Sequence, residues 1–287
     1  SLARRNLSIL AGWFGDFDAA RSSLADVVDA CRTSGDRLGL AYALREIGKI
    51  EVAKGRPADA VATCEQSIAI TDELENDWES AATRNDLGNA LAALGELDAA
   101  DREIRRCLEA ADAAGNRYYI ARCVGDLGAL AVRRGHADRA RRQLGRAQRM
   151  WEDIGHEPYL CWVLIQLASV AGAEPSGAID ATPLHAHALA LAINNRLAPF
   201  ALEIVVATAE LDGPPLADPI AERVRNVVGH PAATRAVSDR AVALLSASNR
   251  PATVRPGSTA PGWQATAEAV AADLAARAAQ DPRSTRH

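Results

Sequence analysis

A strict 40-residue period constrains this chain more than any other feature. The strings GDFDAA, GRPADA, GELDAA and GHADRA begin at Gly15, Gly55, Gly95 and Gly135, and their final alanines fall at Ala20, Ala60, Ala100 and Ala140. Such a period means that one supersecondary unit is copied along the chain, each copy burying its apolar face against the next. The finer spacing gives the kind of unit. Ile47-Gly48, Leu87-Gly88 and Leu127-Gly128 stand with their glycines seven residues before the turn glycine, and Leu24, Cys64, Ile104 and Leu144 stand four after the repeat alanine. Spacings of three, four and seven share one helical face. Each repeat therefore holds a helix A before the turn glycine and a helix B after it.

A second glycine, at Gly35, Gly115 and Gly155, falls where helix B needs a left-handed closing residue. The second repeat departs from this, with Glu75 before Asn76. The pattern predicts helix pairs at 2-13 and 17-33, 37-53 and 57-73, 77-93 and 97-113, 117-133 and 137-153. A fifth pair, near 157-172 and 178-193, and a sixth, near 197-211 and 216-229, are progressively degenerate. Two more helices follow, near 231-248 and 263-280.

The expected fold is all-α, an α-solenoid of antiparallel helix pairs with about six repeats plus C-terminal helices. Its divisions are a solenoid over 1-230 (best-matching repeats 1-155, degenerate repeats 156-230), a capping helix over 231-249, a linker over 250-262 and a C-terminal helix and tail over 263-287. The linker is marked by Pro251, Pro256, Gly257, Pro261 and Gly262. Trp263, Ala267, Val270 and Leu274 share a face of the last helix, which should dock on this chain or on a partner.

Composition agrees with close-packed helices. Apolar residues make up 48% but aromatics only 4%, so the core is built mainly of Ala, Leu, Val and Ile, and alanine is the strongest helix former. A formal net charge of -5 gives no overall attraction to nucleic acid or to an anionic membrane. No apolar run reaches the roughly 18 residues of a membrane span. Five cysteines without a C-x-x-C pair indicate neither a disulfide framework nor a zinc site, and fit a reducing cytoplasm. A start at Ser1 with Met150 as the one methionine reads as a piece of a longer chain.

These residues resemble the tetratricopeptide repeat, W-x2-L-G-x2-Y, then A-x3-F, then P. Leu87-Gly88, Gly95, Leu97, Ala100 and Ile104 carry the match, and repeats two and four follow it nearly as well. The consensus tryptophan, tyrosine and terminal proline are missing, and each unit runs to 40 residues. The longer unit is similar to the C-terminal arrays of bacterial signalling ATPases and of LuxR-like and antibiotic-regulatory transcriptional activators. Only Lys49 and Lys54 are lysines among the 32 basic residues, a bias of the GC-rich genomes in which such regulators are common. The resemblance implies a right-handed superhelix and a non-catalytic protein- or peptide-binding scaffold, the sensor or docking arm of a larger bacterial regulatory protein. The alternative it implies is a small-ligand-sensing solenoid, in which a small-molecule effector changes the arm's shape.

Catalytic signatures are absent: there is no phosphate loop, G-x-G-x-x-G, H-E-x-x-H or G-x-S-x-G. No enzyme activity and no cofactor are expected. His185 and His187 point about 200° apart on a helix and would not chelate one metal; one is expected in the core and one in solvent. Cys64 and Cys107 fall at packing positions. An arginine-rich stretch, including Arg142, Arg146 and Arg149 on one face, belongs to helix B, the outer layer, where charge is usually solvated. Nucleic acid and membrane are not expected as partners of this segment.

In the tetratricopeptide architecture the A helices line a concave groove. The resemblance places Arg5 and Ile9, Arg45 and Lys49, Asn85 and Asn89, and Gly125 and Ala129 in it, together with Tyr42, Arg122 and Trp13. A guanidinium or ammonium group beside amides holds carboxylates by charge-assisted hydrogen bonds. The expected partner is a protein or acidic peptide held by Arg45, Lys49, Asn85, Asn89, Arg122 and Tyr42. None of the five donors reads as a core residue, although pairing with Glu46, Glu51 or Asp86 is the competing arrangement.

Overall fold

The computed structural model describes residues 15–172, 180–228, 230–250, 252 and 262–280. Thirteen helices and no strand occur among them. They fall into two compact units that part between Ile154 and Gly155, where the strict repeat gives way to its degenerate copies. The expected helix over 2-13 and most of the 250-262 linker lie outside the described residues.

The first unit runs α1 (Phe17–Ser34), α2 (Arg37–Ala53), α3 (Pro57–Glu73), α4 (Asp77–Leu94), α5 (Leu97–Ala113), α6 (Arg117–Arg133) and α7 (Ala137–Ile154). Each A helix (α2, α4, α6) packs on the B helix that follows it, and successive A helices also touch. The repeat positions make this seam. Ala20, Ala60, Ala100 and Ala140 are fully buried, as are Leu24, Cys64, Ile104 and Leu144. The Leu-Gly glycine lets the two helices close. A Cβ at Gly88 would stand 2.5 Å from Ile104 Cγ1 and 3.1 Å from the Ala100 carbonyl oxygen, and one at Gly128 would stand 2.7 Å from Leu144 Cγ. All three separations are below ordinary contact, so a side chain at either glycine would force the pair apart.

Helix boundaries follow local chemistry. Asp36, Asn76 and Asn116 cap the three A helices by accepting a hydrogen bond from the amide three residues on, at 2.8, 3.1 and 3.2 Å. At the B-helix ends Gly35 and Gly115 take positive φ, and Glu75 takes the same turn with φ 52°. The second repeat thus keeps the geometry without the glycine, at the steric cost a Cβ brings to the left-handed region.

The second unit runs α8 (Glu157–Gly172), α9 (Thr182–Asn194), α10 (Ala198–Asp212), α11 (Asp218–Val227), α12 (Arg235–Ala247) and α13 (Trp263–Gln280). α9 and α11 begin later than the repeat pattern predicts, each with a proline at its first turn, where the missing N–H is not needed. α13 docks within its own chain, on α9, α10 and α11. Ala267, Val270 and Leu274 are buried there, and ion pairs from Arg223 to Asp273 and from Arg277 to Asp212 flank the contact. Between α10, α11 and α13 remains a cavity of about 20 Å³, room for about one water.

His185 is buried and His187 exposed. All five cysteines are buried and free. Among the described residues no helix is long and apolar enough to cross a membrane, and no group of three or more metal-ligating side chains occurs.

Candidate binding face

The 40-residue period sets equivalent residues of α2, α4 and α6 side by side, and so assembles one polar network from three repeats. Arg45 pairs with Glu79, lies 3.5 Å from Glu46 and 3.7 Å from Asp86, and Lys49 meets Glu46 at 2.5 Å. Arg122 pairs with the same Asp86. Asn85 and Asn89 both donate to Asp126, at 2.8 and 3.2 Å. The Tyr42 hydroxyl hydrogen-bonds Glu79, and its ring lies 5.6 Å beneath the Arg45 guanidinium. Arg122 stands 5.8 Å over the Tyr119 ring.

All six expected site residues therefore meet in one cluster, and their burial corrects the sequence reading. Asn85 is fully buried and Arg122 is 8% exposed, so these two are core residues. Arg45 is nearly as enclosed, with 14% of its side chain exposed, whereas Lys49 keeps 36%. The reason is that the donors face the neighbouring A helix rather than open solvent. Arg5, Ile9 and Trp13 lie outside the described residues.

The missed half of the network is acidic. Glu46, Asp86 and Asp126 occupy one repeat position, directly before Ile47, Leu87 and Leu127, and all three are buried. That column was readable from the period, since an acid recurring beside the packing leucine in three copies is a signal of paired burial. Glu46, Asp86 and Glu79 pair with the three cations Arg45, Lys49 and Arg122, while Asp126 is held by the amides of Asn85 and Asn89.

Equivalent acids differ electrostatically because their partners differ. Burial works to raise the Asp86 carboxyl, but Arg122, Lys49 and Arg45 overcome it and hold Asp86 below the usual range. Burial prevails at Asp126, which is raised because Arg122 and the amides of Asn85 and Asn89 offset it only in part. Glu79 is also raised by burial, since Arg45 is shared among several carboxylates. Burial pushes the Tyr119 hydroxyl up to about 12.

Aromatic rings border this network. Trp78 meets Tyr119 edge-on at 5.0 Å, Tyr119 meets Tyr118 at 5.5 Å, and Tyr118 meets Trp151 at 5.1 Å. Trp78, Tyr118, Tyr119 and Tyr42 are each half-buried. In a chain with only 4% aromatic residues, this places flat, partly accessible surface beside guanidinium groups on consecutive A helices.

No protein-family model matches the chain, and no curated protein matches it. Among solved structures, a kinesin light chain-type protein of Podosopora anserina with nearly identical TPR-like repeats is similar, with a TM-score of 0.46 and 17% identity over 67% of this chain and 94% of that one. A single-site variant of it gives a TM-score of 0.47 and 16% identity over 68% and 95%.

Proposed function

We propose that the chain is a non-catalytic protein- or peptide-binding scaffold, the docking arm of a larger bacterial regulatory protein, and that α2, α4 and α6 form its docking face. The observation that carries this reading is the cluster of Tyr42, Trp78, Tyr118 and Tyr119 around Arg45 and Arg122, since Trp, Tyr and Arg dominate the energetic centres of protein interfaces. Lys49 and Asn89, at the accessible edge, donate to an acidic group of the bound segment. The buried Asn85 and Arg122 and the half-buried Arg45 hold the rings and the edge donors in place. Recognition of this kind needs no bond-making residue, only a surface fixed by packing.

The test begins with capture of partners by the intact chain, followed by titration calorimetry of each against wild type, a Trp78→Ala variant and a Lys49→Glu variant. Lys49 is the charge to reverse because its side chain is 36% exposed, against 14% for Arg45, so its change disturbs the buried pairs less. Loss of at least tenfold in affinity in both variants, with helicity unchanged, supports the docking face. Equal affinity in both moves the contact elsewhere on the chain. Thermal stabilisation by a metabolite with no protein partner would favour the small-ligand-sensing alternative.

A further inference from the structure

Among the described residues, the first unit's B helices hold exposed cations without carboxylate partners, whereas those of its A-helix face are paired. Arg102 and Arg106 on α5 and Arg142, Arg146 and Arg149 on α7 are all exposed. Arg106 meets Glu103 at 2.8 Å, and among the described residues Arg102, Arg142, Arg146 and Arg149 make no ion pair. This contrasts with the A-helix network, where Arg45, Lys49 and Arg122 all face carboxylates. The arrangement is also in register. Arg102 and Arg142 share one repeat position and Arg106 and Arg146 another, while Glu109 on α5 holds the position that Arg149 holds on α7.

We propose that this outer face of α5 and α7 is a second interaction surface, and that its partner is a short acidic segment of another protein. Charge complementarity selects the partner. The chain is acidic overall, at -5, yet five exposed arginines gather on two consecutive B helices, and the nearby acids Asp98, Asp138 and Asp153 are already paired with Arg134, Arg141 and Arg117. Arg142, Arg146 and Arg149 lie on one stripe about 10 Å long, from a rise of about 1.5 Å per residue. An extended peptide covers that length in about three residues, so several Asp or Glu side chains reach guanidinium groups together, in bidentate pairs where geometry allows. A nucleic-acid duplex fits less well, since phosphate binding draws on about 6–10 contacts along the backbone and this patch is too short to supply them. The surface is separate from the A-helix face, so it stands or falls independently of the docking reading above.

The experiment is fluorescence anisotropy on the full 287-residue chain with a labelled octapeptide of alternating Glu and Gly, against the matching Lys-Gly peptide, a 20-base-pair DNA duplex and vesicles containing phosphatidylserine. The expected result is preference for the Glu peptide over the other three probes. Arg142→Glu with Arg146→Glu should weaken that peptide at least tenfold, and raising salt from 50 to 300 mM should weaken it in wild type. Arg142→Gln with Arg146→Gln, a milder pair at the same exposed sites, should give a smaller loss in the same direction and serves if the reversal variant fails to fold. Loss of Glu-peptide affinity in Trp78→Ala but not in the arginine variants would put the peptide on the A-helix face and overturn the proposal. Unchanged affinity in both arginine variants overturns the proposal, as does tighter binding of duplex or vesicles than of the Glu peptide.

Discussion

Asp86→Asn and Asp126→Asn make the same chemical change at the same repeat position, and the structure expects very different costs. Asp86 is 1% exposed in its side chain and lies between Arg122, its close partner, and Arg45 at 3.7 Å. Removing one partner of a buried ion pair costs about 3–5 kcal/mol. Arg45 keeps Glu79 and Glu46, so the lower end, about 3 kcal/mol, applies. For a unit of this size that corresponds to a fall of about 6–12 °C in Tm. Asp126 accepts from two amides, and an Asn there still accepts while removing a charge that burial disfavours. Its change should stay within about 1 kcal/mol at pH 7.

The pH dependence separates the two further. Asp86 has a folded value below its ordinary 3.8, so its contribution is present above 3.8 and is lost as pH falls through the folded value. The gap between wild type and Asp86→Asn should therefore close in acid. Asp126 has a folded value above 3.8, so the native carboxyl holds its proton more firmly than the unfolded one and stability falls as pH rises through that window. Asp126→Asn should remove this slope. Thermal melts by circular dichroism at pH 3 to 7, with hydrogen exchange on α4 and α6 to localise the loss, measure both. Equal Tm shifts for the two variants at pH 7 would refute the reasoning from partner identity.

Three further outcomes are expected. Gly88→Ala, with its Cβ 2.5 Å from Ile104 and 3.1 Å from a backbone oxygen, should destabilise the first unit by about 1–3 kcal/mol, measured as a lowered urea midpoint. Glu75→Gly should raise stability by up to about 1 kcal/mol, since φ 52° suits glycine and disfavours a Cβ; a lowered Tm would contradict the left-handed turn. Burial raises the Cys64 and Cys161 thiols well above their ordinary range, and all five cysteines are buried. They should resist a thiol-reactive disulfide reagent at pH 8 in the native chain and react in denaturant, and rapid native labelling at Cys64 would show that the A–B seam is open.

The period, the helix pairs and the packing positions were legible in the sequence because each depends on residues close along one helix or one repeat apart. Gly88 and Ile104, for example, are 16 residues apart and joined by a turn of fixed type, which leaves little freedom in how they meet. The apolar face of the last helix was equally plain at Ala267, Val270 and Leu274, but its docking site on α9, α10 and α11 was not. An apolar stripe states that a helix needs a partner and does not name one. The same limit governed the candidate site. Sequence grouped Arg45, Lys49, Asn85, Asn89, Arg122 and Tyr42, whereas their degree of burial depended on how closely α2, α4 and α6 approach. Tertiary packing decided that Arg45 and Arg122 would share Asp86 and that Asn85 and Asn89 would share Asp126. Local pattern fixes which residues lie on a helical face, but pairing and desolvation belong to the distance between faces.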